Sequence, residues 1–225
     1  MNNKVVMISG ANRGIGYAIA KKLFNENYLL SLGIRNLDSI PKLLHSSFSF
    51  KYDARDKNSA KLWVDATIKK FGQINCLINN AGTLSWTSIE DDEEDLLDDM
   101  WEVNAKAPLR LTRLAFPYLR KSGSGRIIDI ISMSGKQVRH NNVGYSMSKY
   151  AAIAASLTSR KAGWDDGVRV TSICPGYVKT DMTKNLPQEE LTEPEDIAKI
   201  VSTLLLLSNK SSIHEILINN VYKEF

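Results

Sequence analysis

Cysteine is scarce in this chain: two in 225 residues, Cys76 and Cys174, each inside an apolar run. Two thiols make neither a disulfide framework nor a zinc site, so no metal is expected and a reducing, cytoplasmic setting is. Long apolar runs are absent as well. None approaches the ~20 residues that span a bilayer, and Met1-Asn-Asn-Lys leads into a strand-like run without a signal-peptide pattern. Nor is there an excess of one charge: the formal net charge is +4, and its scatter gives no electrostatic case for nucleic acid. The one acidic run, Glu90 to Asp95, directly precedes the helical stretch from Leu96. Acids there suit the helix dipole better than they suit a metal. Repeats, low-complexity linkers and internal boundaries are missing too.

What remains suits one α/β domain over residues 1–225, large enough to bury roughly 70% of its unfolded surface without staples. Short apolar runs near 4–9, 28–34, 48–52, 74–78, 126–132, 168–173 and 213–218 alternate with amphipathic stretches. That alternation predicts a Rossmann-like, doubly wound parallel sheet of about seven strands flanked by helices.

The first strand-like run ends in Gly10-Ala-Asn-Arg-Gly14-Ile-Gly16 and a helical pattern follows. Strand, glycine turn and helix make a phosphate site, because the backbone can approach closely and free N–H groups sit at the positive helix end. The spacing is Gly-x-x-x-Gly-x-Gly, not the common dinucleotide fingerprint. A tight turn, or another nucleotide-binding fold such as a methyltransferase, has the same glycines. After the second strand come Ile34 and Arg35, where an acid would favour NAD through its ribose hydroxyl. Arg35, with Arg13 in the turn, instead suits the 2′-phosphate of NADP, which a guanidinium fork matches. Asp38 reads as a cap.

Tyr145 and Lys149 lie four apart in an alanine-rich helical stretch, with Ser132 at the end of the fifth apolar run. At that spacing phenol and ammonium share a helix face. A cation ~5 Å away stabilises a phenolate by about 3 kcal/mol at an effective dielectric of ~20, which turns tyrosine into an acid/base. Such a pair alone is common on surfaces.

Taken together, these residues resemble the short-chain dehydrogenases/reductases, along nearly the whole chain. Ser9 to Gly16 is similar to the family's cofactor motif, with serine for the usual threonine. Asp53 resembles the aspartate that meets the adenine, and Asn79-Asn80-Ala81-Gly82 the element that steadies the central sheet beside the cofactor. Asn104, Ser132, Tyr145 and Lys149 match the catalytic tetrad in order and spacing. Pro175-Gly176, with Val178 and Thr180, matches the segment at the nicotinamide end. The resemblance implies an NADP(H)-dependent oxidoreductase that interconverts a small carbonyl compound and its alcohol. Ser132 would bind the oxygen and Tyr145 protonate it. Lys149 would support the tyrosine and hold the nicotinamide ribose, and the Asn104 amide would hold a water linking Lys149 to solvent. Asn12, Ile15, Asn80, Ala81 and Gly82 would line the cofactor path. The resemblance also implies a homodimer or homotetramer, paired through Leu96–Arg120 and Tyr145–Gly163, whose alanines permit close contact.

Two departures stand out. The tail after Ile218 lacks the glycine-rich segment of many relatives, which bears on subunit contacts. The substrate lid, residues 181–193, is short, with room for one short helix and with Met182, Leu186 and Leu191 as its sizeable apolar residues. A mobile lid and a fairly open site are expected. Lys136, Arg139 and His140 fall on a loop bordering the substrate. Gly123 and Asp166 stand where carrier-protein-dependent reductases place basic residues, although Arg120, Lys121 and Arg126 are near the first. A 3-oxoacyl-carrier-protein reductase is therefore the alternative enzyme, and a non-catalytic NADP sensor or binding module the alternative outside catalysis.

Overall fold

Val5–Ser9 (β1) is buried at every position, the pattern of a strand covered on both faces. The computed structural model describes residues 3–220. Around β1 it builds one parallel sheet from Leu29–Ile34 (β2), Phe48–Lys51 (β3), Cys76–Asn79 (β4), Arg126–Ile130 (β5), Arg169–Pro175 (β6) and Glu215–Ile218 (β7). The strand order is β3-β2-β1-β4-β5-β6-β7. The seven expected runs are the seven strands, with bounds shifted by one to a few residues. Ile131 and Ser132 leave the sheet, and Ser132 opens a 3-10 turn over Met133–Gly135. The expected tail beyond Ile218 falls partly in residues 221–225, outside the described residues.

Alternating side chains of the strands feed two layers. Val6, Ile8, Ile78 and Ile128 pack under Gly14–Asn25 (α1) and Pro194–Leu206 (α6). Met7, Leu77 and Ile127 pack under Lys57–Phe71 (α2) and Ala107–Lys121 (α4). Val143–Gly163 (α5) lies beside α4 and against β6. α2 is punctuated at both ends. Asp56 caps α2 by accepting from Asn58 N at 2.9 Å, and Gly72 ends it with φ 74°, a left-handed turn that glycine takes without a side-chain penalty.

The stretch expected as one helix over Leu96–Arg120 runs from Glu94 to Lys121 but is not uniform. Glu94–Trp101 (α3) opens into a wide π-turn over Glu102–Lys106 before α4 resumes. Pro108 supplies the reason: it has no N–H to offer the carbonyl of Asn104 four residues back, so the regular ladder cannot pass through. Glu94 and Asp95 occupy the first turn of α3, as the dipole argument requires. The segment expected to hold one short helix forms two 3-10 turns, Asp181–Thr183 and Gln188–Glu190. Thr183 Oγ1 donating to Val178 O and Gln188 Nε2 donating to Thr183 O tie up the backbone in short turns.

Both cysteines are free and buried. No helix among the described residues is long and apolar enough to cross a membrane.

Beneath the sheet's C-terminal half, Asp129 lines a cavity of about 20 Å³ with Asn79, Thr112 and Ser156. Asn79 Nδ2 donates to Asp129 Oδ1 at 2.8 Å, while Asn79 Oδ1 has no partner in the protein. Burial holds the Asp129 carboxyl above its ordinary range, opposed by hydrogen bonds from Ser156 and Asn79. A carboxyl raised in the folded state contributes stability below the ordinary carboxylate range and loses it as pH rises through the folded value. Asp129→Asn removes that penalty and brings an N–H within reach of Asn79 Oδ1. The melting temperature should rise at pH 7–8 by roughly 2–4 °C, the shift ~1 kcal/mol produces in a domain this size. The gain should shrink toward pH 4; a loss of stability at neutral pH would contradict the assignment.

Candidate active site

The strand order turns back between β1 and β4, and in open α/β sheets the crevice beyond such a reversal is where ligands bind. Here the two strand ends are stitched together. Ser9 Oγ accepts from Asn80 N and Ala81 N at 3.0 Å each, and Asn80 Nδ2 donates to Ser9 O and Gly10 O at 2.9 and 3.1 Å. Gly10 and Gly14 take φ values of 68° and 53°, which glycine alone adopts at little cost. A Cβ on Gly16 would sit 2.2 Å from Gly10 O, so only glycine lets α1 begin this close to β1.

Beyond the turn lies a cleft of about 1640 Å³. Of the expected cofactor-site residues, all line it except Gly16, which packs behind the turn; of the four expected catalytic residues, all do except Asn104. Arg35 is exposed where β2 ends, and Asp53 lies across the cleft with its Oδ1 accepting from Arg55 N at 3.0 Å. Asn12 Nδ2 donates to Ser39 Oγ at 3.0 Å. Arg13 reaches the start of the 181–193 segment and pairs with Asp181 at 2.5 Å. Thr180 backs the same turn, since a Cβ on Gly14 would lie 3.2 Å from its Cγ2. Left-handed glycines, converging backbone N–H groups and two arginines form a cradle that fits a dinucleotide pyrophosphate.

At the other end of the cleft, Lys149 Nζ lies 5.4 Å from the centre of the Tyr145 ring. Lys149 is buried, and a Cβ on Gly82 would come within 3.7 Å of its Nζ. Ser132 Oγ accepts from Ser134 N at 3.0 Å, which leaves the hydroxyl proton for another acceptor. Cys174 sits below, fully buried, its thiol pushed up to about 11 chiefly by burial. A thiol so raised is no nucleophile at neutral pH.

Asn104 is held by protein on both sides of its amide. Its Oδ1 accepts from Thr83 N, and its Nδ2 donates to Thr83 O, each at 2.9 Å, and to Ser148 Oγ at 3.1 Å. Both amide hydrogens are committed to protein, so the side chain braces this corner. Ser148 Oγ in turn donates to Tyr145 O at 2.8 Å. Asn104 therefore fastens the loop after β4 to the helix that carries Tyr145.

Asn142 is the residue that sequence reading missed. Fully buried, it caps α5 by accepting from Tyr145 N at 3.1 Å and anchors to the β4 loop by donating to Ser85 O at 2.8 Å. An asparagine just ahead of a helical run is a cap signal, visible in the sequence but indistinguishable there from a loop residue. Thr87 supports the same corner, its Oγ1 accepting from Gly144 N at 3.1 Å.

Residues 4–191 match the family model for short chain dehydrogenases. An agropine synthesis reductase of Rhizobium rhizogenes is 38% identical over 217 residues, covering 93% of this chain and 50% of that protein. The chain thus spans about half the length of that relative. An uncharacterized oxidoreductase of Staphylococcus epidermidis is 33% identical over 98% of this chain and 99% of its own length. Among solved structures, an alcohol dehydrogenase from the archaeon Thermococcus sibiricus complexed with 5-hydroxy-NADP superposes with a TM-score of 0.91 at 28% identity. The match covers 98% of this chain and 97% of that one.

The Asn142 brace can be tested apart from the turn that cradles a dinucleotide. Removing a helix cap costs about 0.5–2 kcal/mol, and here the Ser85 carbonyl loses its donor as well. Asn142→Ala should lower the melting temperature by several degrees and reduce kcat, with dinucleotide affinity within about threefold of the parent. Calorimetry and titration would check this, and an unchanged kcat would remove Asn142 from the positioning of Tyr145.

Proposed function

This chain belongs to the short-chain dehydrogenase family, and on that premise we propose that it is an NADPH-dependent oxidoreductase reducing a ketone or aldehyde to the alcohol, or running the reverse. The observation that carries this reading is the convergence of Ser132, Tyr145 and buried Lys149 on one wall of the cleft that begins at the glycine turn. When bound, the nicotinamide supplies a hydride to the carbonyl carbon. Ser132, whose oxygen already accepts from Ser134 N, keeps its proton and donates a hydrogen bond to the substrate oxygen. Tyr145 then gives its proton to that oxygen as negative charge develops there. Lys149 offsets the charge left on the phenol from 5.4 Å and, lying next to Gly82, is placed to hold the nicotinamide ribose. Asn104 and Asn142 act through position, keeping α5 in register with the loop after β4.

NADP(H) is the cofactor of this reading because Arg13 and Arg35 both line the cleft and β2 is followed by arginine rather than an acid. The Thermococcus relative was solved with an NADP analogue, which supports the same choice. The agropine synthesis reductase carries the word reductase in its name, which favours reduction as the working direction. A carrier-protein substrate is less well supported. Arg126 is buried and donates to Leu207 O and Ser208 O, and Arg120 pairs with Asp166 at 2.7 Å. Neither cation is free to greet an acidic partner. Residues 181–193 act as a mobile lid, with Leu191 anchoring its end and Met182 half exposed at its start. The enzyme works in the cytoplasm as a dimer or larger oligomer joined through α4 and α5, where Met147, Tyr150 and Leu157 stand exposed.

Tyr145→Phe should lose about 10²-fold or more in kcat, the scale of an acid/base group, while NADPH still binds. Turnover near the parent's on a ketone that the parent reduces would remove the central claim. Arg35→Asp should reverse the preference from NADPH to NADH, since charge-assisted contacts contribute roughly 1.5–3 kcal/mol each. Equal kcat/KM for the two cofactors in the unmodified protein would count against the NADP assignment.

A further inference from the structure

Outward from Tyr145 the cleft wall is a file of aromatic rings. The His140 ring centre lies 6.3 Å from that of Tyr145, and the Trp86 ring centre 5.9 Å from that of His140. Hydrogen bonds fix the middle ring. Asn142 N donates to His140 Nδ1 at 3.3 Å, so the ring proton sits on Nε2 and is donated to Ser134 Oγ at 3.1 Å. With both nitrogens engaged by protein, the imidazole presents its face and carbon edge to the cleft. Trp86 is 60% exposed, and Val138 and Met182, at 73% and 51%, line the same cleft. Single exposed apolar residues are ordinary, whereas several gathered at the mouth of one cleft mark a binding surface.

The cations of this loop already have protein partners. Lys136 Nζ pairs with Glu215 at 3.0 Å, and Arg139 donates to Gln137 Oε1 and, at 3.4 Å, to Asn219 Oδ1. A carboxylate on the substrate would compete with Glu215 for Lys136 and with two neutral amides for Arg139. A flat ring would not, and it would meet partners whose quadrupoles favour edge or offset contact.

Resting on the carbonyl-reductase reading above, we propose that the substrate is an aromatic carbonyl compound, its ring lying against His140 and Trp86 while its oxygen meets Ser132 and Tyr145. Trp86 is then a specificity-determining residue. Benzylacetone and its cyclohexyl counterpart separate this from plain apolar burial, because the ketone is unconjugated in both and the cyclohexyl ring is the more hydrophobic. Burial alone ranks the cyclohexyl ketone first; ring contact ranks benzylacetone first.

The measurement is kcat/KM for the two ketones with NADPH, and calorimetric affinity for both in the presence of NADP⁺. Benzylacetone should lead by about three- to tenfold in each, and Trp86→Leu, which keeps apolar bulk at an exposed position, should bring both ratios to one or below. A ratio at or below one in the unmodified protein, or one that Trp86→Leu leaves intact, overturns the proposal. If neither ketone is turned over, the carbonyl-reductase reading fails, and the calorimetric ratio alone then decides whether the aromatic subsite stands.

Discussion

The approach of Gly16 to the carbonyl of Gly10 and the amide of Asn80 is the constraint on which the rest of the molecule depends. A Cβ there would lie 2.2 and 2.4 Å from those atoms, distances no side chain can accept. Because glycine removes it, α1 starts directly under β1, its first N–H groups facing the crevice between the ends of β1 and β4. Ser9 and Asn80 then close that crevice from below with four hydrogen bonds. Push α1 outward by the width of a methyl group and its first N–H groups lose their aim at that crevice. Sheet order, helix position and phosphate site are one geometric fact.

A second frame, independent of the first, holds the reacting side chains. It is built from amides and hydroxyls rather than charges: Asn104 to Thr83 and Ser148, Ser148 to Tyr145, Asn142 to Ser85 and Tyr145. Buried hydrogen bonds of this kind contribute little net stability when made and cost about 1–3 kcal/mol when one partner is lost. They therefore restrict alternatives more than they add to stability, which suits a site where a fraction of an ångström matters to catalysis. The wide turn at Glu102–Lys106 belongs to this frame. Asn104 lies within it and reaches both the loop after β4 and α5.

Much of this was readable in the chain because it rests on local rules. Strand placement follows from short apolar runs, the glycine turn from its spacing, and the shared face of Tyr145 and Lys149 from helical geometry. What the chain concealed depends on partners distant in sequence. Asn142 looks like any loop asparagine until Ser85 arrives 57 residues away. Lys136 and Arg139 look like free cations until Glu215 and Asn219 are folded beside them. Asn104 was legible as an inward residue, but which of its hydrogens remained free was not, since that depends on where Thr83 and Ser148 stand. The widening at Pro108 lies between these cases. Its cause is local, yet Pro117 sits inside α4 without the same widening, so a proline alone does not say how a helix will accommodate it.

The glycine turn also touches the 181–193 segment, through an exposed ion pair. Arg13, in the glycine turn, and Asp181, at the start of the 181–193 segment, are 168 residues apart and have side chains 58% and 71% exposed. Pairs this exposed contribute at most about 1 kcal/mol and weaken with salt. A phosphate dianion, which can engage the guanidinium through two parallel bonds, is the stronger partner. A phosphate that takes Arg13 would therefore displace the Asp181 carboxylate at small cost. The backbone around it has other ties: Thr183 N donates to Thr180 O at 3.0 Å and Thr183 Oγ1 to Val178 O at 2.6 Å, while Thr180 packs against Gly14. Losing the ion pair thus frees one carboxylate and leaves the turn over Asp181–Thr183 in place.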